Sequence, residues 1–344
     1  MPAPRNLTEL ESDILRDQAL VAHPRAPWLE PKTSGGAPVL DCLIIGAGQC
    51  GLAVAHALKR DKLENILLID RAAEGKEGPW VTYARMPTLR SWKDQNGPDL
   101  GIPSLTYQAW HEAQFGADHF AAMRMIPREA WQDYLNWLRR VLALPVQNGV
   151  TAGRISPART DDGLPCLRVE SSAGPYLARK VVLATGQEGV GEWWMPDFLR
   201  ALPETMRAHS ADEIDFAALK GRVVAVLGAG ASAFDNAAMA LQAGAAEVHL
   251  FCRRTEPMII QPYRWLTFAG FMRHIFILQL IKKHDLFVRY TEFSRSSRTA
   301  ALTEYCTRIA GASTTHPLIR AVVAMRLVLG VKSTTTPQTT ATID

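Results

Sequence analysis

The strongest constraint on the fold is a unit of strand, glycine-rich turn, helix and strand that occurs twice in the chain. The first turn reads GAGQCG at Gly46–Gly51, and the second reads GAGASA at Gly228–Ala233, 182 residues further along. Only glycine allows the tight turn, the close approach of a pyrophosphate and the tight packing of helix on strand that such a turn requires. The sequence therefore predicts an α/β fold with two Rossmann-like dinucleotide-binding domains, the second inserted in the first or following it.

The first turn is followed by an acidic residue at the position expected for an FAD site. Residues 39–45 form an apolar run typical of a buried strand, and NILLID at 65–70 is predicted to be the next strand. Asp70 ends that strand 22 residues after Gly48, where a carboxylate can accept hydrogen bonds from a ribose hydroxyl. The residues expected to bind FAD here are Gly46, Gly48, Gln49, Cys50, Gly51, Asp70 and Arg71.

The second turn lacks this acidic partner. Two arginines, Arg253 and Arg254, follow the predicted strand at 248–252. A guanidinium pair at the end of this strand can hold a 2′-phosphate, which favours NADPH over NADH. The alternative is a solvated strand end. The residues expected to bind NADPH are Gly228, Gly230, Ala231, Ser232, Arg253 and Arg254.

The two sites together indicate hydride transfer from a nicotinamide to a flavin. A dithiol-disulfide reductase would need a C-x-x-C pair near the flavin, and the sequence contains none. Molecular oxygen is therefore the leading electron acceptor. No metal site is predicted, and the cysteines are expected to be buried, reduced thiols; they are Cys42, Cys50, Cys166, Cys252 and Cys306.

Charge and composition argue against a nucleic-acid-binding, membrane-spanning or secreted protein. The net charge of +4 over 344 residues is no footprint of nucleic-acid binding, and no apolar run approaches the roughly 18 residues of a membrane span. Charges stand where a signal peptide needs an apolar core, so the predicted location is the cytoplasm. The expected partners are a small-molecule substrate and O2, and a homo-oligomer is left open.

The predicted domain organisation follows from the two units and the stretches between them. Aromatic residues at helical spacing indicate a helical insertion in the first domain, and alternating residues at 151–178 predict a small β-meander. The predicted divisions are an N-terminal extension and linker at 1–37, an FAD-binding domain at 38–192 with its helical insertion at 84–145, an NADPH-binding domain at 193–275, and an atypical segment at 276–344.

Residues 38–275 resemble the class B flavin-dependent monooxygenases, which include flavin-containing and N-hydroxylating enzymes. The two glycine turns, with IDR after the first and FCRR after the second, carry this resemblance. So do the segment EGKEGPW at 74–80, which is similar to a turn beside the flavin, and the crossover Ala184-Thr185-Gly186. The resemblance implies that Trp80, Thr185 and Gly186 also contact FAD.

The resemblance also implies roles for single residues. Asp70 would bind the FAD ribose, Ser232 the NADPH phosphates and Arg253 the 2′-phosphate. The stretch at 89–110 is similar to one that runs along the isoalloxazine and the substrate, which makes three residues candidates for flavin and substrate contacts; an ordinary polar loop is the alternative. These catalytic candidates are Lys93, Gln95 and Asn96.

The implied reaction is oxygen transfer through a flavin hydroperoxide. NADPH would reduce FAD, O2 would add to it, and a nucleophilic amine or sulfur would take one oxygen atom. Two positions depart from the family pattern. Glu77 stands where a second glycine is preferred, and the family signature around His209 is reduced to His209-Ser210, which disfavours Baeyer-Villiger chemistry.

The C-terminal part is expected to depart from the family after about Phe276, through truncation, altered splicing or frameshift. The NADPH domain would then lack strands and expose part of an apolar face. The tail at 333–344 is expected to be disordered, and residues 317–331 to form a packed helix or a membrane-surface element. Two alternatives stay open: an uncoupled NADPH oxidase or diaphorase, and a non-catalytic nucleotide-binding remnant.

Overall fold

The structure is a computed structural model that describes residues 6–95, 97–186, 189, 191, 193–228, 230–252 and 339–341. The chain divides into two compact units, Met1–His209 and Ser210–Asp344.

The first unit is built on one mixed sheet. Its strands in the described residues are β1 (Lys32–Ser34), β2 (Ala37–Ile45), β3 (Ile66–Asp70), β4 (Val146–Asn148), β5 (Ala152–Arg159), β6 (Pro165–Ser171) and β7 (Tyr176–Leu183). Their order in the sheet is β4-β3-β2-β7-β6-β5, with β1 antiparallel on β2. Strands β4, β3, β2 and β7 are parallel, and β7, β6 and β5 form an antiparallel meander.

Strand β2 lies at the centre of the parallel part, which explains its nearly continuous apolar sequence. Successive side chains of a strand point to opposite faces of the sheet. Leu43 and Ile45 accordingly pack into one core cluster with residues of the meander, whereas Cys42 and Ile44 pack into a larger cluster with the helices. Both faces of the sheet are therefore covered at β2.

The helices of the first unit supply the larger cluster. The helices in the described residues are α1 (Leu7–Leu20), α2 (Gln49–Arg60), α3 (Tyr107–Phe115), α4 (Ala117–Ala122), α5 (Arg128–Val141) and α6 (Asp197–Arg200). The sequence of α5 explains why this stretch is helical, because Trp131, Tyr134 and Leu138 recur at intervals of three and four residues and are all buried. Helices α3, α4 and α5 lie within the stretch predicted to be a helical insertion, and β5, β6 and β7 lie within or close to the stretch predicted to be a meander.

Helix α1 belongs to the core of this unit, although the sequence predicts that it is part of an extension before the first domain. Leu10 and Ile14 are buried in the larger cluster. The Trp137 indole N–H donates to Glu11 Oε1 at 3.0 Å, which ties α1 to α5. The proline-rich stretch after α1 separates it from β2 in sequence but not in space.

The second unit contains the second motif of strand, glycine turn, helix and strand. Strands β8 (Val223–Leu227) and β9 (Glu247–Cys252) are parallel and are joined by α7 (Ala231–Gln242). Val223 is 63% exposed, so one face of β8 is partly open to solvent. The expectation of a disordered tail is wrong for three residues, because β10 (Thr339–Ala341) pairs antiparallel with β9.

Several predictions fall outside the described residues. They include the departure after Phe276, the segment 317–331 and the thiols of Cys252 and Cys306. Of the cysteines whose side chains are described, Cys42 and Cys166 are buried, but Cys50 is exposed, so the prediction of a buried thiol is wrong there. No helix in the described ranges has the length and apolar character needed to cross a membrane.

The stability of the first unit is expected to fall at acidic pH because of His56. This side chain is buried on α2, its Nδ1 lies 3.1 Å from Pro98 O, and its Nε2 has no hydrogen-bond partner among the described residues. Burial lowers the pKa of His56 from its ordinary value of 6.5, although the bond to Pro98 opposes this. The unfolded chain therefore binds a proton at His56 more readily than the folded chain does. The free energy of unfolding should be lower at pH 5.5 than at pH 7.5, by up to about 1.4 kcal/mol.

Urea unfolding at pH 7.5 and 5.5 checks this, followed by tryptophan fluorescence, since all tryptophans except Trp265 lie in the first unit. The His56→Asn protein keeps a donor near Nδ1 and does not titrate, so its stability should change less between the two pH values. An equal change in both proteins would contradict the prediction.

Candidate dinucleotide-binding site

The first glycine turn joins the carboxyl end of β2 to α2 and lies against the end of β7. Gly46 has a φ of +105°, and its N–H donates to Ile69 O at 2.8 Å. A Cβ on Gly46 would lie 2.3 Å from Ala184 O, and a Cβ on Gly51 would lie 1.9 Å from Gly46 O. Packing alone therefore requires glycine at the first and third positions of the motif.

Gly48, at the second position, has a different environment. A Cβ there would meet Gly78 Cα at 3.6 Å, an ordinary van der Waals distance, and its φ of −69° suits any residue. The protein's own packing therefore does not require glycine at this position. Without side chains at either position, the backbones of Gly48 and Gly78 come together and form a cradle beside the start of α2.

The N-terminus of α2 opens into this turn. Gly48 is the N-cap and has no side chain to accept from the first N–H groups, whereas α1 and α3 are capped by the side chains of Asn6 and Thr106. Free N–H groups and the positive end of the helix dipole form a site for an anion. Gln49 and Cys50 are the first residues of α2; Gln49 Oε1 accepts from the Trp131 indole N–H at 3.1 Å.

Asp70 lies beside the turn, as its position at the end of β3 predicts. Its Oδ2 accepts from Ala47 N at 2.8 Å, and its Oδ1 accepts from Ala72 N at 2.8 Å. The carboxylate thus joins the glycine turn to the loop after β3. Each oxygen has a further lone pair with which to accept from a ribose hydroxyl. Arg71, the next residue, is exposed.

The Gly78–Trp80 turn forms the other side of the cradle. Thr82 Oγ1 donates to Gly78 O at 2.7 Å, and Ala84 N donates to Pro79 O at 2.8 Å. Trp80 is half-buried against the larger core cluster, and its Nε1 is buried without a hydrogen-bond partner in the described part of the chain. An indole N–H usually finds a partner when it is buried.

The crossover after β7 also lies at the first turn. Ala184 N donates to Ile45 O at 2.8 Å, and Thr185 N would lie 3.2 Å from a Cβ on Gly46. Gly186 follows with a φ of +74°. The structure therefore brings Thr185 and Gly186 to the same end of the sheet as the glycine turn.

The three catalytic candidates have different surroundings. Lys93 Nζ donates to Phe120 O at 2.6 Å and to Ala121 O at 3.2 Å, and it lies 4.4 Å from the centre of the Phe120 ring. Lys93 therefore binds the C-terminal carbonyl groups of α4. Gln95 is exposed, and Asn96 lies outside the described residues.

Glu77, which departs from the family pattern, has a well-defined structural role. Its carboxylate is buried, and Oε1 accepts from Arg139 Nη1 at 2.9 Å and from Asn148 Nδ2 at 2.6 Å. A glycine at this position could make neither contact. The sequence analysis missed Arg139 and Asn148. A buried carboxylate needs such partners. An acidic residue at a position where the family prefers glycine is therefore the one feature of the sequence that points to them.

The second glycine turn, in the second unit, resembles the first in the backbone conformation and packing of its glycines. Gly228 has a φ of +142°, and a Cβ there would lie 3.2 Å from Ala233 Cβ. A Cβ on Gly230 would meet none of the described residues within 4 Å, and Gly230 is the N-cap of α7. Ala231 and Ser232 are exposed in the first turn of that helix, while Arg253 and Arg254 lie outside the described residues.

Comparisons with known proteins agree with this geometry. A sequence profile of the family described as pyridine nucleotide-disulphide oxidoreductase matches residues 43–275. The chain is 45% identical over 266 residues to the FAD-dependent urate hydroxylase of Xanthomonas campestris pv. campestris, which covers 77% of this chain and 56% of that protein. The chain thus spans about half the length of this curated relative. The predicted resemblance to flavin-dependent monooxygenases is confirmed.

Solved structures share the fold. The FAD-bound cadaverine monooxygenase of Erwinia amylovora has a TM-score of 0.53 and 17% identity, over 84% of this chain and 66% of that one. An ornithine N-hydroxylase of Kutzneria sp. 744, solved with reduced FAD, NADP+ and L-ornithine, also has a TM-score of 0.53, with 19% identity over 68% of this chain and 58% of that one. The predicted α/β fold of the Rossmann type is confirmed.

The Gly46→Ala substitution should destabilise the first unit severely, because the new Cβ would clash with a backbone oxygen as well as strain the turn. Gly163 is a matched control, since its φ is +83° and a Cβ there would meet nothing within 4 Å. Urea unfolding should show a loss of about 1–2 kcal/mol for Gly163→Ala and at least about 3 kcal/mol for Gly46→Ala. Equal losses would show that backbone strain, and not the contact with Ala184, requires glycine at position 46.

Proposed function

Because this chain belongs to the pyridine nucleotide-disulphide oxidoreductase family, we propose that it is a monooxygenase that binds FAD at the first glycine turn and NADPH at the second. It would insert one oxygen atom of O2 into a small substrate with a nucleophilic nitrogen or sulfur. The cradle between Gly48 and Gly78 carries this proposal, because glycine at position 48 has no explanation in the protein's own packing.

The residues around the cradle fit FAD. The N–H groups at the start of α2 would bind the pyrophosphate, which can pass close to Gly48 for want of a side chain. Asp70 would accept from the ribose hydroxyl groups, with Arg71 beside it. Trp80, Thr185 and Gly186 would lie near the flavin, and the buried Trp80 Nε1 has a donor to offer.

The second turn fits the phosphates of NADPH by the same logic. Within the described part of the second unit, no atom lies near the place of a Cβ on Gly230, and Ala231 and Ser232 are exposed at the start of α7. Arg253 and Arg254 would hold the 2′-phosphate by charge-assisted hydrogen bonds.

The reaction consumes the substrate, O2, NADPH and a proton, and it yields the oxygenated substrate, water and NADP+. FAD supplies the electron transfer from NADPH to oxygen, which no side chain can perform. The chain's own residues bind and orient the reactants and exclude water from them. Lys93, Gln95 and Asn96 are proposed for contacts with the flavin and the substrate.

Urate is a second candidate substrate. The relative named for urate hydroxylation is 45% identical to this chain over 266 residues. Urate therefore belongs in the first set of compounds tested, together with simple amines and thiols.

The purified full chain tests the proposal directly. It should bind FAD, lose the yellow colour faster with NADPH than with NADH in the absence of oxygen, and regain it in air. With a true substrate, oxygenated product should account for most of the NADPH consumed. Peroxide in place of product with every compound would indicate an uncoupled oxidase, and bound FAD without NADPH oxidation a non-catalytic protein. A chain that binds no FAD would contradict the proposal.

The Gly48→Ala substitution separates binding from stability. A methyl group would enter the cradle without a clash, so the free energy of unfolding should stay within about 1 kcal/mol of wild type, while FAD binding weakens by about tenfold or more. Gly230→Ala is the matched control, because its methyl group would enter the second turn instead. That protein should retain its FAD affinity and bind NADPH more weakly. Unchanged FAD affinity in Gly48→Ala would contradict the assignment of the cradle.

A further inference from the structure

Arg128, the first residue of α5, holds the loop that begins at Trp80. Its Nη1 donates to Trp80 O at 2.7 Å and to Ala84 O at 2.9 Å. Its own backbone N–H donates to Pro87 O at 3.2 Å. A single guanidinium therefore fixes both ends of a short loop, and the contact leaves the backbone of Trp80 little freedom to move.

Arg139, near the other end of α5, holds the residue before the Gly78–Trp80 turn. Its guanidinium pairs with the buried carboxylate of Glu77, and it also donates to Asn148 Oδ1 at 3.0 Å. The Glu77 side chain is only 5% exposed. A carboxylate buried to this degree depends on its partners, and removal of one of them leaves an uncompensated buried charge.

Helix α5 joins these two contacts rigidly. Arg128 and Arg139 are separated by about 16 Å along the helix axis at 1.5 Å per residue. The apolar face between them is buried in the core of the first unit. Only Gly78 and Pro79 lie between the two anchored residues, Glu77 and Trp80, so their positions follow from the helix.

We propose that Arg128 and Arg139 are positioning residues for FAD, which hold the Gly78–Trp80 turn at the distance from Gly48 that the cofactor requires. This inference rests on the proposed function. Arg139 has a second effect through charge: it neutralises Glu77, whose carboxylate adjoins Gly78 and would otherwise repel the pyrophosphate. Both arginines would act through the turn, because their guanidinium groups bind the backbone of Trp80 and the carboxylate of Glu77.

Three variants of α5 test the inference: Arg128→Met, Arg139→Met and Arg140→Met. Arg140 is the matched control, because it lies on the same helix and carries the same charge, but pairs with Glu11 on α1 at 2.7 Å and is 61% exposed. The FAD dissociation constant should rise at least tenfold for Arg128→Met and Arg139→Met and less than twofold for Arg140→Met. In the full chain without FAD, amide hydrogen exchange of residues 77–84 should become faster in the first two variants only.

A charge-balanced variant separates positioning and charge from general damage. Glu77→Gln combined with Arg139→Met removes both charges, so it should recover part of the FAD affinity lost in Arg139→Met alone. In Arg128→Met, the circular dichroism of the bound flavin should differ from that of wild type. This signal reports the surroundings of the flavin and not the stability of the chain. If Arg139→Met does not fold, Arg128→Met provides the test, because Arg128 lies at the start of the helix.

The outcomes distinguish the inference from the proposed function. A wild-type chain that binds no FAD would overturn the proposed function and this inference with it. A wild-type chain that binds FAD with the same affinity as Arg128→Met and Arg139→Met would overturn the inference alone. Faster exchange at residues 77–84 without a change in FAD affinity would also overturn it.

Discussion

The contact between the backbones of Gly46 and Ala184 sets the arrangement of the first unit. It is possible only because position 46 has no Cβ, which would otherwise lie 2.3 Å from Ala184 O. Hydrogen bonds from Gly46 N to Ile69 O and from Ala184 N to Ile45 O fasten the turn to the strands on both sides of β2. Three chain segments thus end at one edge of the sheet, and the start of α2 lies over them. The candidate site follows from this convergence, as expected at the carboxyl ends of parallel strands.

The helical insertion supplies the side of the site that the sheet cannot. The sheet presents Gly48 and Asp70, whereas the Gly78–Trp80 turn that faces them is held by α5 through Arg128 and Arg139. Burial of the Glu77 carboxylate costs free energy unless the charge is paired. Its contacts with Arg139 and Asn148 fix the position of the turn but add little net stability to the fold. The departure of Glu77 from the family pattern therefore has a compensation elsewhere in the chain. The ion pair between Glu77 and Arg139 holds the turn at the position where the family pattern has a second glycine.

The two glycine turns show how one motif tolerates different third residues. In the first, Gly51 approaches Gly46 O so closely that a methyl group would not fit. In the second, Ala233 occupies the equivalent position, and its methyl group lies 3.2 Å from where a Cβ on Gly228 would stand. Among the residues that the structure describes, the middle glycine is free of such contacts in both turns, since Gly48 has only an ordinary neighbour and Gly230 has none within 4 Å. The positions that packing requires and the position that a ligand would require are therefore different residues.

The sequence by itself determined the glycine turns, the strands beside them and the place of Asp70, because these depend on local periodicity and on the short spacing of a βαβ unit. It also predicted the helical insertion, whose aromatic residues recur at helical intervals. Only the tertiary structure decided that α1 packs in the core, that Lys93 binds the end of α4, and that Glu77 pairs with Arg139. Glu77 and Arg139 are 62 residues apart, and Glu11 and Trp137 are 126 apart. Such pairs leave no periodic signal, because the contact exists only once the helices have packed on the sheet.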